Sequence, residues 1–264
     1  SFFYQEAFRN IHTSLKFLKV DNPIKIISIT SSIPKEGKSL SNILLAKTLS
    51  EMDLKILQID ADLRKPQIHL RLGLNNITGL SNLITDEDVK ISDVIQAVPD
   101  FKNWDIITSG AKPPEPIRLL NSKSMEKIIN DLREENKYDL IIIDCPPVTG
   151  LADSLLISEK CDGSILLISN NLVQKDLAKQ SIDRILESGA NFLGTISNST
   201  VKSSDNFLNK YSYYNYSYTY NDYIDKELDT NNRINKSTKI DKIKDVLLNQ
   251  SNEFIKNFFK WLDN

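Results

Sequence analysis

Short apolar segments alternate with amphipathic helical segments along most of the chain. Six segments of strand length are rich in Ile and Leu: 24–29, 55–59, 104–107, 138–143, 163–168 and 192–197. The spacing of apolar residues predicts helices over 1–20, 39–52, 125–136 and 175–188. This alternation is typical of a parallel sheet, because parallel neighbours need long crossover connections that cover both faces. We therefore predict an α/β fold with a doubly wound, mostly parallel sheet and helices on both faces.

The polar loop after the first strand matches a phosphate-binding motif. Residues 32–39 fit the pattern G-x-x-x-x-G-K-[ST], except that Ser32 replaces the first glycine. Gly37 lets the backbone approach a phosphate, Lys38 supplies a cation, and the Ser39 hydroxyl is a candidate Mg²⁺ ligand. A chance helix start is the alternative, but the strand, loop and helix that the motif requires are all present.

Other groups of the same loop can also bind a nucleotide. The backbone N–H groups of residues 35–39 can point at an anion, and the helix N-terminus adds partial positive charge. Pro34 gives up one N–H group but stiffens the loop. The candidate nucleotide-binding residues are Ser32, Pro34, Lys35, Glu36, Gly37, Lys38, Ser39 and Leu40.

Three aspartates stand at the ends of apolar strands. Asp60 and Asp62 follow the second strand, and Asp144 follows the strand at 138–143. The carboxyl ends of parallel strands line the ligand crevice of an open sheet. Because Mg²⁺ binds carboxylates together with phosphate and water oxygens, these residues are candidate metal ligands. A turn or helix-capping role is the alternative for any one of them.

Composition excludes several other classes of function. The 33 Lys and Arg against 35 Asp and Glu give a net charge of -2, so we expect no nucleic-acid partner. The two cysteines, Cys145 and Cys161, favour a reducing compartment over a disulfide framework. The sequence contains no apolar run of about 18 residues and no Cys/His spacing typical of zinc, and we expect no signal peptide.

Together the motifs resemble the catalytic domain of bacterial tyrosine kinases, the BY-kinases that accompany polysaccharide copolymerases. The sequence ITSSIPKEGKS at 29–39 resembles their Walker A motif, ILQIDADLRKP at 56–66 their Walker A′ motif, and LIIIDCPPV at 140–148 their Walker B motif. The A′ motif in this order is the specific signal, because many ATPases share a phosphate loop. The resemblance covers Phe3 to Tyr223.

The resemblance implies a role for each motif residue, with ATP and Mg²⁺ as cofactors. Lys38 would bind the phosphates, and Asp60 would orient or deprotonate the attacking tyrosine. The implied catalytic residues are Lys38, Asp60 and Asp62. The implied metal ligands are Ser39, Asp62 and Asp144, the last directly or through water. Asn198 matches the position where the family contacts adenine, and a plain turn asparagine is the alternative.

Seven of the nine tyrosines lie close together near the C-terminus, among Ser, Asn and Thr. They are Tyr211, Tyr213, Tyr214, Tyr216, Tyr218, Tyr220 and Tyr223. Few aliphatic residues accompany them, so we predict a flexible tail that serves as phosphoacceptor. An edge strand and a low-complexity segment are the alternatives. The BY-kinases are similar in having a C-terminal tyrosine cluster that is phosphorylated between subunits.

Two features depart from the family pattern. Glu6, Arg9 and His12 resemble its E-x-x-R-x-x-R interface motif, but His12 replaces the last arginine and is mostly neutral near pH 7. We therefore predict weaker or pH-dependent ring assembly, with an ordinary helix surface as the alternative. The chain also continues past Tyr223 into a predicted amphipathic helix, for which packing on a partner or the core is favoured over a membrane interface.

These observations predict a P-loop tyrosine kinase domain over 1–198, a flexible tail over 199–239 and an amphipathic helix over 240–264. The expected enzyme is a tyrosine autokinase that forms a ring-shaped homo-oligomer and regulates capsular or extracellular polysaccharide synthesis and export. We expect it in the cytoplasm at the inner face of the plasma membrane. The expected partner is a transmembrane copolymerase or activator segment, fused upstream or separate; the chain begins with Ser1, which makes fusion plausible.

Two other functions share this fold. A Min/Par-like positioning ATPase would carry a signature lysine where this chain has Ile33, and the A′ motif and tyrosine cluster also point away from it. The second alternative is a non-catalytic nucleotide-binding scaffold of the export complex. Intact Lys38, Ser39 and the three strand-end aspartates speak against that scaffold.

Overall fold

A computed structural model describes residues 2–18 and 23–199. The predicted C-terminal helix, and the predicted tail from residue 200 onward, lie outside the described residues. The described strands form one seven-stranded sheet. They are β1 (Ile26–Ser31), β2 (Ile56–Asp60), β3 (Ile95–Ala97), β4 (Trp104–Ile107), β5 (Leu140–Asp144), β6 (Gly163–Ser169) and β7 (Phe192–Asn198).

The strand order is β3-β4-β2-β5-β1-β6-β7, and every neighbouring pair is parallel except β3 with β4. Asp60 at the end of β2 pairs in register with Asp144 at the end of β5, and Asp144 pairs with Ile29 of β1. The carboxyl ends of β1, β2 and β5 therefore lie side by side, with the phosphate loop leaving from β1.

The described helices cover both faces of the sheet. They are α1 (Phe2–Leu18), α2 (Lys38–Ser50), α3 (Ile68–Leu72), α4 (Leu80–Thr85), α5 (Ile91–Val94), α6 (Pro116–Leu120), α7 (Lys123–Glu135), α8 (Asp153–Ser158) and α9 (Lys175–Glu187). Leu57 and Ile59 of β2 belong to the core cluster that includes α4 and α7. Because side chains alternate along a strand, Gln58 and Asp60 face the opposite side of the sheet. On that side α2 packs against the sheet, and α1 packs against α2. The doubly wound prediction is thus confirmed, and none of the described helices is long and apolar enough to cross a membrane.

Two details differ from the predicted elements. Apolar spacing alone would place Leu40 and Leu44 on the buried side of α2, but they are only half-buried, whereas Leu45 and Ala46 are fully buried. Because α2 lies between the sheet and α1, its buried surface does not follow a single apolar stripe. The antiparallel edge strand β3 and the short helices α3, α4, α5, α6 and α8 were not predicted, since three to six residues are too few to establish a periodicity.

Candidate active site

The phosphate loop turns into α2 at Gly37, which has a left-handed φ of 92°. A Cβ atom at this position would lie 2.6 Å from Nδ2 of Asn198. Only glycine therefore combines this backbone conformation with the close approach of the side chain. Pro34 and Lys35 of the same loop are exposed, and Lys35 also has a positive φ of 72°.

Glu36 holds the phosphate loop from inside the protein. Its carboxylate accepts a hydrogen bond from the N–H of Ile33 (2.7 Å) and another from the N–H of Ser169 at the end of β6 (2.7 Å). Bonds from N–H groups to an ionised carboxylate are stronger than neutral ones. Because the Glu36 carboxylate already accepts these two hydrogen bonds, only the main chain of Glu36 remains to bind a nucleotide.

Lys38, Ser39 and Asp144 form one hydrogen-bonded group at the start of α2. Lys38 Nζ lies 2.6 Å from Asp144 Oδ1, and Ser39 Oγ donates to Asp144 Oδ2 at 2.7 Å. Asn42 Nδ2 also donates to Asp144 Oδ1 at 2.5 Å. Burial opposes the charge of Lys38, but the surrounding carboxylates, Asp144 foremost, outweigh it and raise the lysine pKa. The lysine therefore stays protonated in a buried site.

The Asp60 carboxyl group is fully buried beside Asp144. It accepts hydrogen bonds from the backbone N–H groups of Asp62 (3.2 Å), Gln67 (3.3 Å) and Ile68 (3.2 Å). Burial and the charge of Asp144 raise its pKa to about 7, against the opposing effects of a nearby lysine and of the hydrogen bond from Ile68. A carboxyl group with this pKa can exchange a proton near neutral pH, which a general base requires.

Asp62 lies in the loop that follows β2 and is 9% exposed. Its Oδ1 accepts a hydrogen bond from the N–H of Lys65 at 3.0 Å. Burial raises the pKa of Asp62, although Lys38 acts to lower it. Lys38 interacts electrostatically with all three strand-end aspartates. The structure thus brings Lys38 together with Asp60, Asp62 and Asp144, as the motifs predicted.

The donor atoms of this group fit a nucleotide that carries a magnesium ion. Carboxylate and hydroxyl oxygens suit Mg²⁺, which usually takes only one or two carboxylates and completes its shell with phosphate and water. In the described part of the chain, no group of three or more His, Cys, Asp or Glu is arranged to hold a metal ion. The buried hydroxyl of Ser32 on the loop lacks a hydrogen-bond partner among the described residues, so a phosphate oxygen could satisfy it.

Asn198, the last residue of β7, reaches the phosphate loop. Its Nδ2 donates to the backbone carbonyl of Glu36 at 2.8 Å, and its own carbonyl accepts a hydrogen bond from the N–H of Asn170 (3.1 Å). Asn198 therefore lies beside the loop, but this contact does not test the predicted adenine contact. Leu40, in the first turn of α2, is half-buried.

The three predicted interface residues lie on α1. Arg9 and Glu6 form an ion pair within the helix at 2.5 Å. Burial and Lys16 lower the pKa of His12, while Asp139 opposes this shift. The seven predicted phosphoacceptor tyrosines lie outside the described residues.

Two groups beside the site were not predicted from the sequence. Asn42 stands one turn after Ser39 and binds Asp144, and the i, i+3 spacing on α2 was the available signal. Arg64 forms a double hydrogen bond with Asp153, with Nε to Oδ1 at 3.0 Å and Nη2 to Oδ2 at 3.2 Å. No local signal connects two residues that lie 89 positions apart.

Known proteins that resemble this chain have a named activity. The family model described as "AAA domain" matches residues 24–205. Tyrosine-protein kinase YwqD of Bacillus subtilis is 35% identical over 223 residues, which cover 84% of this chain and 89% of YwqD. The chain belongs to the family of bacterial tyrosine-protein kinases. It is therefore a protein-tyrosine kinase, as the motifs predicted. Tyrosine-protein kinase etk of Escherichia coli is 32% identical over 75% of this chain, but that match covers 27% of etk.

Solved structures agree with this family. The kinase domain of the Escherichia coli tyrosine kinase ETK has a TM-score of 0.71 and 31% identity, over 76% of this chain and 77% of that chain. The chimerical protein CapA2B2 has a TM-score of 0.69 and 31% identity, over 75% and 85% of the two chains. The septum site-determining protein MinD from Pyrococcus horikoshii, complexed with Mg-ADP, has a TM-score of 0.55 and 27% identity, over 66% and 70%. The sheet is therefore that of P-loop ATPases related to MinD, and among these proteins the kinases match better.

Proposed function

We propose that this kinase transfers the γ-phosphoryl group of ATP to tyrosines of its own C-terminal segment. The observation that carries this proposal is the grouping of Lys38 with Asp60, Asp62 and Asp144 at the carboxyl ends of β2 and β5. Phosphoryl transfer depends mainly on positioning and charge stabilisation, and this group supplies both.

Lys38 and the phosphate loop would hold the ATP phosphates. Gly37 and the first turn of α2 offer backbone N–H groups, and the charged Lys38 offers further donors to phosphate oxygens. Ser39, Asp62 and Asp144 would hold the magnesium ion. Bound there, Mg²⁺ would supply positive charge that neutralises the β- and γ-phosphate oxygens.

Asp60 would receive the proton of the attacking tyrosine. A tyrosine hydroxyl has a pKa near 10, so its oxygen attacks the γ-phosphorus more readily when a base accepts the proton. In the overall reaction the tyrosine oxygen forms the new bond to phosphorus, the bond to the β-phosphate oxygen breaks, and ADP leaves. With a pKa of about 7, Asp60 is partly ionised at neutral pH and can take this role.

The proposal extends to the oligomer, the partner and the location of the kinase. We infer a ring-forming homo-oligomer in which Glu6, Arg9 and His12 lie at subunit contacts and the seven clustered tyrosines are phosphorylated by a neighbour. CapA2B2 is a chimerical protein, and the matched region covers 27% of etk, so a further segment, which we infer to be a membrane-bound activator, is compatible with both. With such a partner the kinase would work at the inner face of the plasma membrane, in capsular or extracellular polysaccharide synthesis and export.

A phosphotyrosine assay with MgATP tests the proposal. Wild-type protein should acquire phosphotyrosine, whereas Lys38→Met and a chain truncated after Ser204 should acquire none. Phosphotyrosine on the truncated chain would show that the acceptor tyrosines lie outside the tail. ATP hydrolysis without phosphotyrosine, even with an added activator segment, would instead favour the positioning ATPase that the MinD-like fold allows.

A further inference from the structure

Two loops begin at the strand ends that carry Asp60 and Asp144, and they are joined at two points. The first is the loop after β2, residues 61–67, which contains Asp62, and the second is the loop after β5, residues 145–152. At their base, the N–H of Ala61 donates to the carbonyl of Asp144 at 2.9 Å. Farther out, the guanidinium of Arg64 binds both carboxylate oxygens of Asp153, the first residue of α8.

We propose that Arg64 and Asp153 are positioning residues that set the distance between Asp62 and Asp144, and thereby the affinity of the site for the magnesium ion of the nucleotide. This inference rests on the proposed function, in which Asp62 and Asp144 are metal ligands. Neither Arg64 nor Asp153 is a ligand in this account. They act through the loops that hold the ligands.

A short path connects Arg64 to Asp62. The carboxylate of Asp62 accepts a hydrogen bond from the N–H of Lys65, the residue next to Arg64. A displacement of Arg64 therefore moves the donor that orients Asp62. The rigid fork of an arginine fixes direction as well as distance when it binds a carboxylate through two bonds.

The loop that leads into Asp153 is itself held by α9. Arg184 of α9 donates through Nη1 to the carbonyl of Val148 (2.5 Å) and through Nη2 to that of Leu151 (3.4 Å). Asp153 is 1% exposed, so its charge has little access to water and depends on Arg64. Arg64 thus ties the loop after β2 to a segment that Arg184 also holds.

Electrostatics explains why such a connection is needed. Asp60 pairs in register with Asp144, and Asp62 follows Asp60 by two residues, so the three carboxylates repel one another when ionised. This repulsion would push the loop that carries Asp62 away from Asp144. The bidentate ion pair opposes this separation without adding net charge to the site.

Arg64→Gln tests the inference beside a matched control, Arg133→Gln. Arg133 of α7 also binds an aspartate, Asp162, at 3.2 Å, and the exposed fractions of the two arginine side chains are 37% and 34%. Asp162 lies at the opposite end of the sheet, where it accepts hydrogen bonds from the N–H groups that begin β1. The control therefore removes a similar ion pair far from the carboxylates.

Binding of a fluorescent ADP, titrated with Mg²⁺ and repeated in EDTA, is the readout. We expect Arg64→Gln to raise the half-saturating Mg²⁺ concentration about tenfold while affinity in EDTA changes less than about twofold. Arg133→Gln should leave both unchanged. Urea unfolding of each variant separates loss of stability from loss of metal affinity. If Arg64→Gln does not fold, Arg64→Lys replaces it, because lysine keeps the positive charge but lacks the planar guanidinium that binds a carboxylate through two bonds.

An equal Mg²⁺ requirement in Arg64→Gln and Arg133→Gln would overturn the inference and leave a purely structural ion pair. So would additive effects of Arg64→Gln and Asp153→Asn, because residues that act as one unit should give a double variant no worse than either single variant. Asp62→Asn is the reference. If it also leaves the Mg²⁺ requirement unchanged, the metal assignment itself fails; if it raises the requirement and Arg64→Gln does not, this inference alone fails.

Discussion

Asp60 is a carboxyl group that keeps its proton to an unusually high pH. Burial and the neighbouring charge of Asp144 raise its pKa to about 7, whereas in the unfolded chain it would be near 3.8. Between these two values the folded protein binds a proton that the unfolded chain has released. The free energy of unfolding should therefore fall as pH rises, and the stabilisation present below about pH 4 is lost by about pH 7.

This predicts that the variant Asp60→Asn, which cannot ionise, loses less stability with rising pH than the wild type. From pH 5 to pH 8 in EDTA, the wild type should lose about 1–3 kcal/mol more than the variant. Urea unfolding at both pH values measures this difference. Identical pH dependence of the two proteins would mean that Asp60 titrates near its ordinary pKa.

At the scale of an element, the turn from the phosphate loop into α2 depends on Gly37. Gly37→Ala should cost about 1–2 kcal/mol from the left-handed φ alone. The added Cβ would also displace Asn198 from its hydrogen bond to Glu36, which adds about 1 kcal/mol. We expect nucleotide affinity to fall as well, because the loop would lose its shape.

Gly189→Ala is the control for this prediction. Gly189 has a φ of 83°, but nothing lies within 4 Å of the Cβ that alanine would add. It should lose stability through backbone strain alone and bind nucleotide normally. Urea unfolding and fluorescent-ADP binding distinguish the two variants. If the two variants lost equal amounts of stability and of nucleotide affinity, the close approach of Asn198 to Gly37 would have no specific effect, which contradicts this prediction.

The sequence predicted the elements whose signals are local. Each long apolar strand was found within a few residues of its bounds, and the motifs around Lys38, Asp60 and Asp144 identified residues that the structure brings together. The three-residue strand β3 was missed because its identity depends on pairing with β4 rather than on its own pattern.

What the sequence did not predict arises from contacts between distant segments. The Arg64–Asp153 pair joins loops that follow different strands, and the hydrogen bond from the N–H of Ser169 to Glu36 joins residues 133 positions apart. Even α2, which was correctly predicted, has a buried surface set by α1 above it, so the half-burial of Leu40 could not be read from periodicity.

At the scale of the whole molecule, phosphorylation would change the charge of the assembly. Each phosphotyrosine adds about -1.5 to -2 charges, so seven would add at most roughly -10 to -14 per chain. Tails with this charge around a ring would repel one another and resist entry into acidic sites. We therefore predict that the fully phosphorylated protein sediments more slowly than the unphosphorylated oligomer. Unchanged sedimentation would rule out phosphorylation as the signal for disassembly.

A mixing experiment tests the central claim, that this site phosphorylates the tyrosines of a neighbouring chain. One chain carries Lys38→Met with its tyrosines intact, and the other keeps the site but has the seven clustered tyrosines replaced by phenylalanine. Incubated with MgATP, neither should acquire phosphotyrosine alone, and the mixture should acquire it on the Lys38→Met chain. Absence of phosphotyrosine from that chain, under conditions in which the wild type is phosphorylated, would contradict transfer between subunits.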